Sequence, residues 1–210
     1  MVLFRSFSRT NRRDRGGSAV RAARPLAAPP LERRIQPAAN GPQWLDHSFS
    51  RGDQSHRYRL YVPSVYQGQP LPMIVMLHGA QQDPEDIAAG TEMNEAAEAH
   101  GYIVAYPEQS ENTNLLKCWH WFRAGDQSRE TGETSMIAAL TREVVSDYNA
   151  DPSRVFVAGM SAGGAMAVNL AVPRENGLSV GEQWLVHGLG HAWPGGTHKG
   201  HTPIRADRAQ

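Results

Sequence analysis

The serine at position 161 is the residue of this sequence best placed for covalent catalysis. It lies in the pentapeptide GMSAG at 159–163, between an apolar stretch at 154–158 and small residues from Ala162 to about Ala171. A nucleophilic serine needs such a strand–turn–helix context, because the sharp turn exposes its hydroxyl and leaves no room for neighbouring side chains. The pattern predicts that Ser161 is a nucleophile at the start of a helix. A helix-capping serine after a strand is the alternative.

A second segment could stabilise the negative charge that forms when a serine attacks a carbonyl carbon. His78, Gly79 and Ala80 follow a nearly continuous apolar run at 71–77. In hydrolases with this kind of turn, the loop after the third strand supplies a backbone N–H to the oxyanion. We therefore predict that the amides of Ala80 and Ala162 form the oxyanion hole, with an ordinary strand-ending turn at 78–79 as the alternative.

The base is expected near the C-terminus. A short strand there runs into the glycine-rich segment at 188–196, which presents His191 beside Trp193. His187 closes the strand and is expected to be structural. The order of nucleophile first and histidine last is that of the α/β-hydrolases.

The elements between these residues alternate strands with helices. Apolar patterns predict strands at 57–62, 71–77, 102–106 and 154–158, and helices at 84–99, 132–149 and 162–171. This alternation is typical of an α/β fold, here an α/β-hydrolase with a mostly parallel sheet flanked by helices.

Composition narrows the classes of partner and compartment. The 210 residues carry a formal net charge of zero and one cysteine, Cys118. A balanced charge gives no general attraction to nucleic acid or anionic membranes, and a single cysteine forms no intrachain disulfide. No apolar run is long enough to span a bilayer. Residues 1–45, rich in Arg, Ala and Pro, are expected to be a disordered tail, with a targeting or nucleic-acid role as the alternative. The α/β-hydrolase domain is expected over 46–196, followed by a short tail at 197–210.

Taken in order, several segments resemble the esterases of the polyhydroxybutyrate depolymerase family. They are YRLYVP, PLPMIVMLHG, MNEAAEAHGYIVAYPEQ, CWHWF, GETSMI, VFVAGMSAGGAMA and WLVHGLGHAWPGG, spanning roughly 56–172 and 182–196. The resemblance implies a serine carboxylic-ester hydrolase acting on hydroxyalkanoate, aryl or acetyl esters through an acyl-enzyme on Ser161, with His191 as base. No cofactor or metal is expected. An extracellular location is implied, although no secretory signal is visible in the sequence, which otherwise suggests the cytoplasm.

The resemblance also bears on the substrate cleft. His78, Trp119, Trp121 and Trp193 are expected to line it, with packing in the core as an equal alternative for the tryptophans.

Two features depart from the family pattern. Ala80 stands where many relatives have a cysteine, so Cys118 is expected to be free. Only 29 residues separate Ser161 from His191, and none of them is an aspartate. Two strands and the acid of the catalytic triad are therefore expected to be missing near 173–181. Glu175 and Glu182 are weak candidates for that acid.

Two other functions remain open at this point. The chain could be a catalytically impaired fragment or a binding module that retains the hydrolase cleft. A metal site formed by His187, His191, His198 and His201 is disfavoured, because their loop contains no cysteine and no paired carboxylate.

Overall fold

The computed structural model describes residues 2–6, 40–52, 54–127 and 131–171. Six strands form one sheet: β1 (Val2–Ser6), β2 (Gln43–Arg51), β3 (Gln54–Val62), β4 (Met73–Leu77), β5 (Ile103–Pro107) and β6 (Val155–Gly159). Four helices accompany it: α1 (Pro84–Thr91), α2 (Met93–His100), α3 (Gly132–Asp147) and α4 (Ala162–Ala171).

The order of the strands across the sheet is β1-β6-β4-β5-β3-β2. The three central strands run parallel, with Met73 of β4 opposite both Ile103 of β5 and Val155 of β6. The β2–β3 hairpin adds an antiparallel edge beside β5, and β1 pairs antiparallel with β6. The predicted α/β class is confirmed, and the sheet is mixed, with its parallel strands confined to the centre.

Helices cover both faces of this sheet. All five residues of β4 are buried, as expected for a strand between two helical layers. One apolar cluster joins alternate strand residues to α3 and α4 and includes Leu60, Val75, Ile137, Leu140 and Met166. The second cluster lies under α1 and α2 and includes Met76, Ile87 and Tyr106. Each face therefore has its own hydrophobic core, and the segments around His78 and Ser161 follow the ends of parallel strands.

The segment predicted as one helix over 84–99 forms two helices. Asp83 caps α1 by accepting a hydrogen bond from the Asp86 amide at 2.8 Å. Glu92 then adopts the left-handed conformation, with φ of 51°, and separates α1 from α2. Because a single left-handed residue interrupts the ladder of backbone hydrogen bonds, the apolar pattern alone does not reveal this break.

One strand lies within the region expected to be a disordered tail, and a second begins near its end. β1 occupies residues 2–6, and β2 begins at Gln43 rather than after residue 45. In β2 the more buried residues alternate with exposed ones, and Trp44 packs edge-on against Tyr106 on the other face of the sheet. Backbone pairing along a free edge needs no marked apolar pattern, so composition is a poor guide here.

The segment that follows α4 lies outside the described residues. It includes the expected deletion near 173–181, the short strand before His187 and the tail at 197–210. Among the described residues, no helix has the length and apolar character needed to cross a membrane.

Candidate active site

Ser161 lies at the junction between β6 and α4, where the sequence predicted a nucleophile. Its side chain is exposed, and its φ of 53° is in the left-handed region. Local hydrogen bonds close the turn, because Gly163 N–H donates to Met160 O at 2.9 Å and Ala165 N–H donates to Ser161 O at 3.0 Å. A left-handed serine costs about 1–2 kcal/mol and persists where the surroundings enforce it, as they do at the nucleophile turn of α/β-hydrolases.

The glycines around Ser161 are required by close packing. A Cβ at Gly163 would lie 2.2 Å from Leu77 O and 2.5 Å from His78 O, so α4 starts directly against the end of β4. A Cβ at Gly159 would lie 2.5 Å from the carbonyl of Gly163. The structure therefore shows the physical reason for the small residues of the motif: the strand end and the helix start touch backbone to backbone.

The loop after β4 lies beside Ser161. A Cβ at Gly79 would lie only 3.5 Å from the Cβ of Ser161. Three amides of this loop are occupied by protein: Gly79 N–H donates to Gln82 Oε1 at 2.8 Å, Gln81 N–H donates to Leu116 O at 2.7 Å, and Gln82 N–H donates to Gly79 O at 3.3 Å. None of the hydrogen bonds described for 40–52, 54–127 and 131–171 uses the Ala80 amide.

The second predicted oxyanion donor, the amide of Ala162, is available because of its position in α4. Ala162 is the first residue of α4, and an amide in the first turn of a helix has no partner within that helix. Among the described hydrogen bonds, the two predicted amides thus have no partner. Their role as oxyanion donors stays a prediction.

His78 is a buried support of this loop, which corrects its predicted place in the cleft lining. Its side chain has no exposed surface. Nδ1 lies 2.7 Å from Gly79 O, and Gln109 N–H donates to Nε2 at 3.1 Å. A carbonyl can only accept and an amide can only donate, so the ring is the neutral tautomer with its proton on Nδ1. Burial lowers the pKa of His78 to about 4, which agrees with a neutral ring.

This tautomer determines the direction of the Ala80 amide. The carbonyl of Gly79 and the N–H of Ala80 belong to one planar peptide unit, and the described chain contains no cis peptide bond. In a trans peptide the two groups point in opposite directions. Because His78 Nδ1–H holds the Gly79 carbonyl, the Ala80 N–H is directed away from His78.

The aromatic residues predicted to line the cleft divide into two groups. Trp119 is fully buried, packs against His78 with 5.3 Å between ring centroids, and donates from Nε1 to His78 O at 3.1 Å. It belongs to the core, which is the alternative that the sequence left equally open for the tryptophans. Trp121 is 41% exposed and stands edge-on to Phe122, which is 57% exposed. Trp193, like His191, lies outside the described residues.

The sequence interpretation did not identify the polar residues behind the loop. Glu133 at the start of α3 is buried and accepts hydrogen bonds from the side chain of Gln109 and from the backbone N–H of His120, the latter at 2.7 Å. Burial raises the pKa of Glu133, and these hydrogen bonds oppose the rise. The segments CWHWF and GETSMI, which contain His120 and Glu133, form part of the resemblance to the family. Their presence is the one feature of the sequence that could have indicated these residues.

Two other chemical sites are not supported by the described residues. Within 40–52, 54–127 and 131–171, no group of three or more His, Cys, Asp or Glu side chains could hold a metal ion. Cys118 is a free thiol, as expected, and burial raises its pKa, which disfavours a reactive thiolate.

A cavity of about 410 Å³ opens between the β2–β3 hairpin and the start of α3. Arg51, His56, His120 and Glu133 are among its lining residues, and none of them belongs to the turn at Ser161 or to the 78–82 loop. The cavity therefore lies apart from the nucleophile.

Comparison with known proteins agrees with this geometry. Poly(3-hydroxyalkanoate) depolymerase C of Paucimonas lemoignei is 35% identical over 113 residues, which are 53% of this chain and 26% of that protein. Feruloyl esterase B of Neurospora crassa is 31% identical over 137 residues, covering 65% of this chain and 45% of that protein. The chain thus spans less than half the length of these curated relatives.

A solved structure shows the same fold. The acetyl xylan esterase from Aspergillus awamori superimposes with a TM-score of 0.54 at 24% sequence identity, over 62% of this chain and 46% of that one. The family model described as esterase PHB depolymerase matches residues 56–189, well over half of the chain. An α/β-hydrolase sheet, a left-handed serine after β6 and this match lead to one conclusion: the chain belongs to the PHB depolymerase family of esterases.

Proposed function

We propose that this chain is a serine carboxylic-ester hydrolase that works through an acyl-enzyme on Ser161. The observation that carries the proposal is the exposed, left-handed serine between β6 and α4, with the 78–82 loop beside it. A capping serine would need neither the left-handed strain nor glycines in backbone contact on both sides.

The reaction follows the general scheme of acyl transfer. Ser161 Oγ attacks the ester carbonyl carbon, and His191 accepts the hydroxyl proton. The carbonyl oxygen becomes an oxyanion that the amides of Ala80 and Ala162 stabilise. Collapse of the tetrahedral species breaks the ester C–O bond and releases the alcohol, which takes the proton from His191. Water then hydrolyses the acyl-enzyme by the same steps. Loss of one oxyanion donor costs about 100- to 1,000-fold in turnover.

The substrate class follows from the relatives and from the surface near the site. We propose hydroxyalkanoate esters of the kind named for the Paucimonas relative, or aryl and acetyl esters as named for the feruloyl and acetylxylan esterases. Leu116, whose carbonyl holds the oxyanion loop, is 55% exposed, and Trp121 and Phe122 follow on the same segment. These apolar side chains suit an ester with an apolar acyl or aryl part.

Turnover depends on an acid that orients His191. No aspartate lies between Ser161 and His191, and loss of that acid typically costs about 10,000-fold in turnover. We therefore expect acylation of Ser161 to be easier to detect than steady-state hydrolysis.

A fluorophosphonate probe tests the proposal directly. The folded protein should be labelled at Ser161, and the Ser161→Ala variant should not be labelled. Peptide mapping locates the adduct, and thermal unfolding of the unlabelled sample shows that the protein is folded. A folded protein that takes no label would refute the proposal and favour a binding module that retains the hydrolase cleft.

A further inference from the structure

A buried carboxylate lies behind the oxyanion loop, and the acyl-transfer scheme does not use it. Glu133 is the second residue of α3 and is 8% exposed. Its carboxylate accepts two hydrogen bonds, from His120 N–H at 2.7 Å and from the Gln109 side-chain amide, and one of its oxygens lies 2.8 Å from His120 Nδ1. Replacing a buried charged pair by apolar residues of similar volume is often neutral for stability, so the burial of Glu133 alone is weak evidence for a purely stabilising role. Its partners therefore indicate what it does.

Those partners belong to the two segments that hold His78. Gln109, whose side chain binds Glu133, donates its own backbone N–H to His78 Nε2 at 3.1 Å. Trp119 precedes His120 and donates its indole N–H to His78 O at 3.1 Å. Glu133 thus joins the 109 segment, which binds the imidazole of His78, to the 119–120 segment, which binds its backbone.

His78 in turn holds the peptide that carries the predicted oxyanion amide. Its Nδ1–H donates to the Gly79 carbonyl at 2.7 Å, and the opposite end of the same peptide unit is the Ala80 N–H. If Gln109 and Trp119 shift, the imidazole can rotate, and the Gly79 carbonyl then loses the shorter of its two hydrogen bonds, because Gln82 N–H donates to it at 3.3 Å. The plane of the Gly79–Ala80 peptide is then held less firmly.

We propose that Glu133 is a positioning residue for the oxyanion hole, acting through Gln109, Trp119 and His78 on the Ala80 amide. The inference rests on the esterase function proposed above and extends it to a residue that does not touch the substrate.

The first test compares Glu133→Gln with Glu143→Gln, a matched change further along the same helix. Glu143 is only partly buried and has no described contact with the loop. With a soluble aryl ester, we expect E133Q to lower kcat by about 10- to 100-fold, part of the loss of a whole oxyanion donor. The KM should change less than about threefold, because the contact acts in the transition state. E143Q should keep the kcat of the unmodified protein.

A second variant covers the case in which E133Q fails to fold. Gln109→Met keeps the backbone N–H that binds His78 and removes the side-chain hydrogen bonds to Glu133 and to Cys118 O. It should lower kcat in the same way without a comparable change in KM. If both variants fold, their effects should be clearly less than additive, because each breaks the same connection.

A readout that does not need turnover separates this inference from the proposed function. In ¹⁵N NMR spectra the unmodified protein should show the His78 ring protonated on Nδ1, and E133Q should show a mixture of tautomers with faster exchange of the Ala80 amide. A protein that takes no fluorophosphonate label would refute the proposed function, and the spectra would still decide the role of Glu133. A folded E133Q with unchanged kcat and an unchanged His78 spectrum would overturn the inference, and so would equal losses in E133Q and E143Q.

Discussion

Replacing Gly163 by alanine tests the packing that creates the nucleophile turn. A Cβ at this position would lie 2.2 Å from Leu77 O and 2.5 Å from His78 O. Both oxygens belong to the main chain at the end of the central strand β4, so neither can move away as the tip of a flexible side chain could. Carbon and oxygen atoms in ordinary contact lie about 3.5 Å apart, so α4 would have to withdraw by about 1 Å.

The loss of stability in G163A can be estimated from that displacement. Overpacking in a core typically costs about 1–3 kcal/mol, and a clash with strand backbone belongs at the upper end of that range. A loss of about 3 kcal/mol in the free energy of unfolding corresponds to a fall of about 6–12 °C in Tm for a chain of this size. Withdrawal of α4 would also move Ser161 and the Ala162 amide away from the 78–82 loop.

Gly164→Ala supplies the matched control one residue further along α4. There the nearest atom to a Cβ would be Gly159 O, at 3.1 Å, which is tight but without overlap. Alanine is favoured over glycine in a helix by about 1 kcal/mol, which offsets the close contact, so G164A should remain within about 1 kcal/mol of the unmodified protein. Urea denaturation and fluorophosphonate labelling measure both variants. Equal stability of G163A and G164A would refute the packing argument.

Three further predictions concern the same site. Ser161→Ala should abolish labelling while stability stays nearly constant. Ser161→Gly should be more stable than Ser161→Ala by up to about 1 kcal/mol, because glycine adopts positive φ without strain. Equal stability of the two variants in urea denaturation would argue against strain at this residue. The pKa of His78 is about 4 in the folded protein, below its unfolded value. The contribution of His78 to stability is therefore complete above about pH 6.5, and about 3 kcal/mol of it is lost as the pH falls toward 4. His78→Gln should flatten this part of the stability–pH profile, and an unchanged slope would contradict the buried neutral ring. Trp119→Phe keeps most of the buried area but leaves His78 O without its indole donor. The free energy of unfolding should fall by about 1–3 kcal/mol, as measured by thermal unfolding. A variant as stable as the unmodified protein would show that water replaces the donor.

The sequence predicted the central elements well because their apolar patterns are strong. The run ending at Leu77 became the fully buried β4, and the amphipathic pattern after Gly132 became α3. At Ser161, glycines on both sides of a serine after a strand predicted the turn, because few other residues tolerate such close backbone contact. These features depend on neighbouring residues alone, so the local sequence is sufficient to predict them.

Other features depend on partners that are distant in sequence. His78 follows its strand directly, and the sequence suggested an open position, yet Gln109 and Trp119 enclose it from two other segments. Nothing in the residues around Glu133 indicates that its carboxylate joins those segments. From the sequence alone, a polar side chain in a motif can equally be one that contacts the substrate or one that supports a loop.

By itself, the sequence determined which residue is the candidate nucleophile, which fold surrounds it and which family the chain belongs to, since glycine spacing and apolar runs are local constraints. Only the tertiary structure decided which polar residues support the site. It placed His78 and Trp119 in the interior and connected Glu133, through Gln109, to the segment that binds His78. The physical reason is that the burial and tautomer of a side chain depend on which donors and acceptors the folded chain brings against it, and no local pattern encodes those partners.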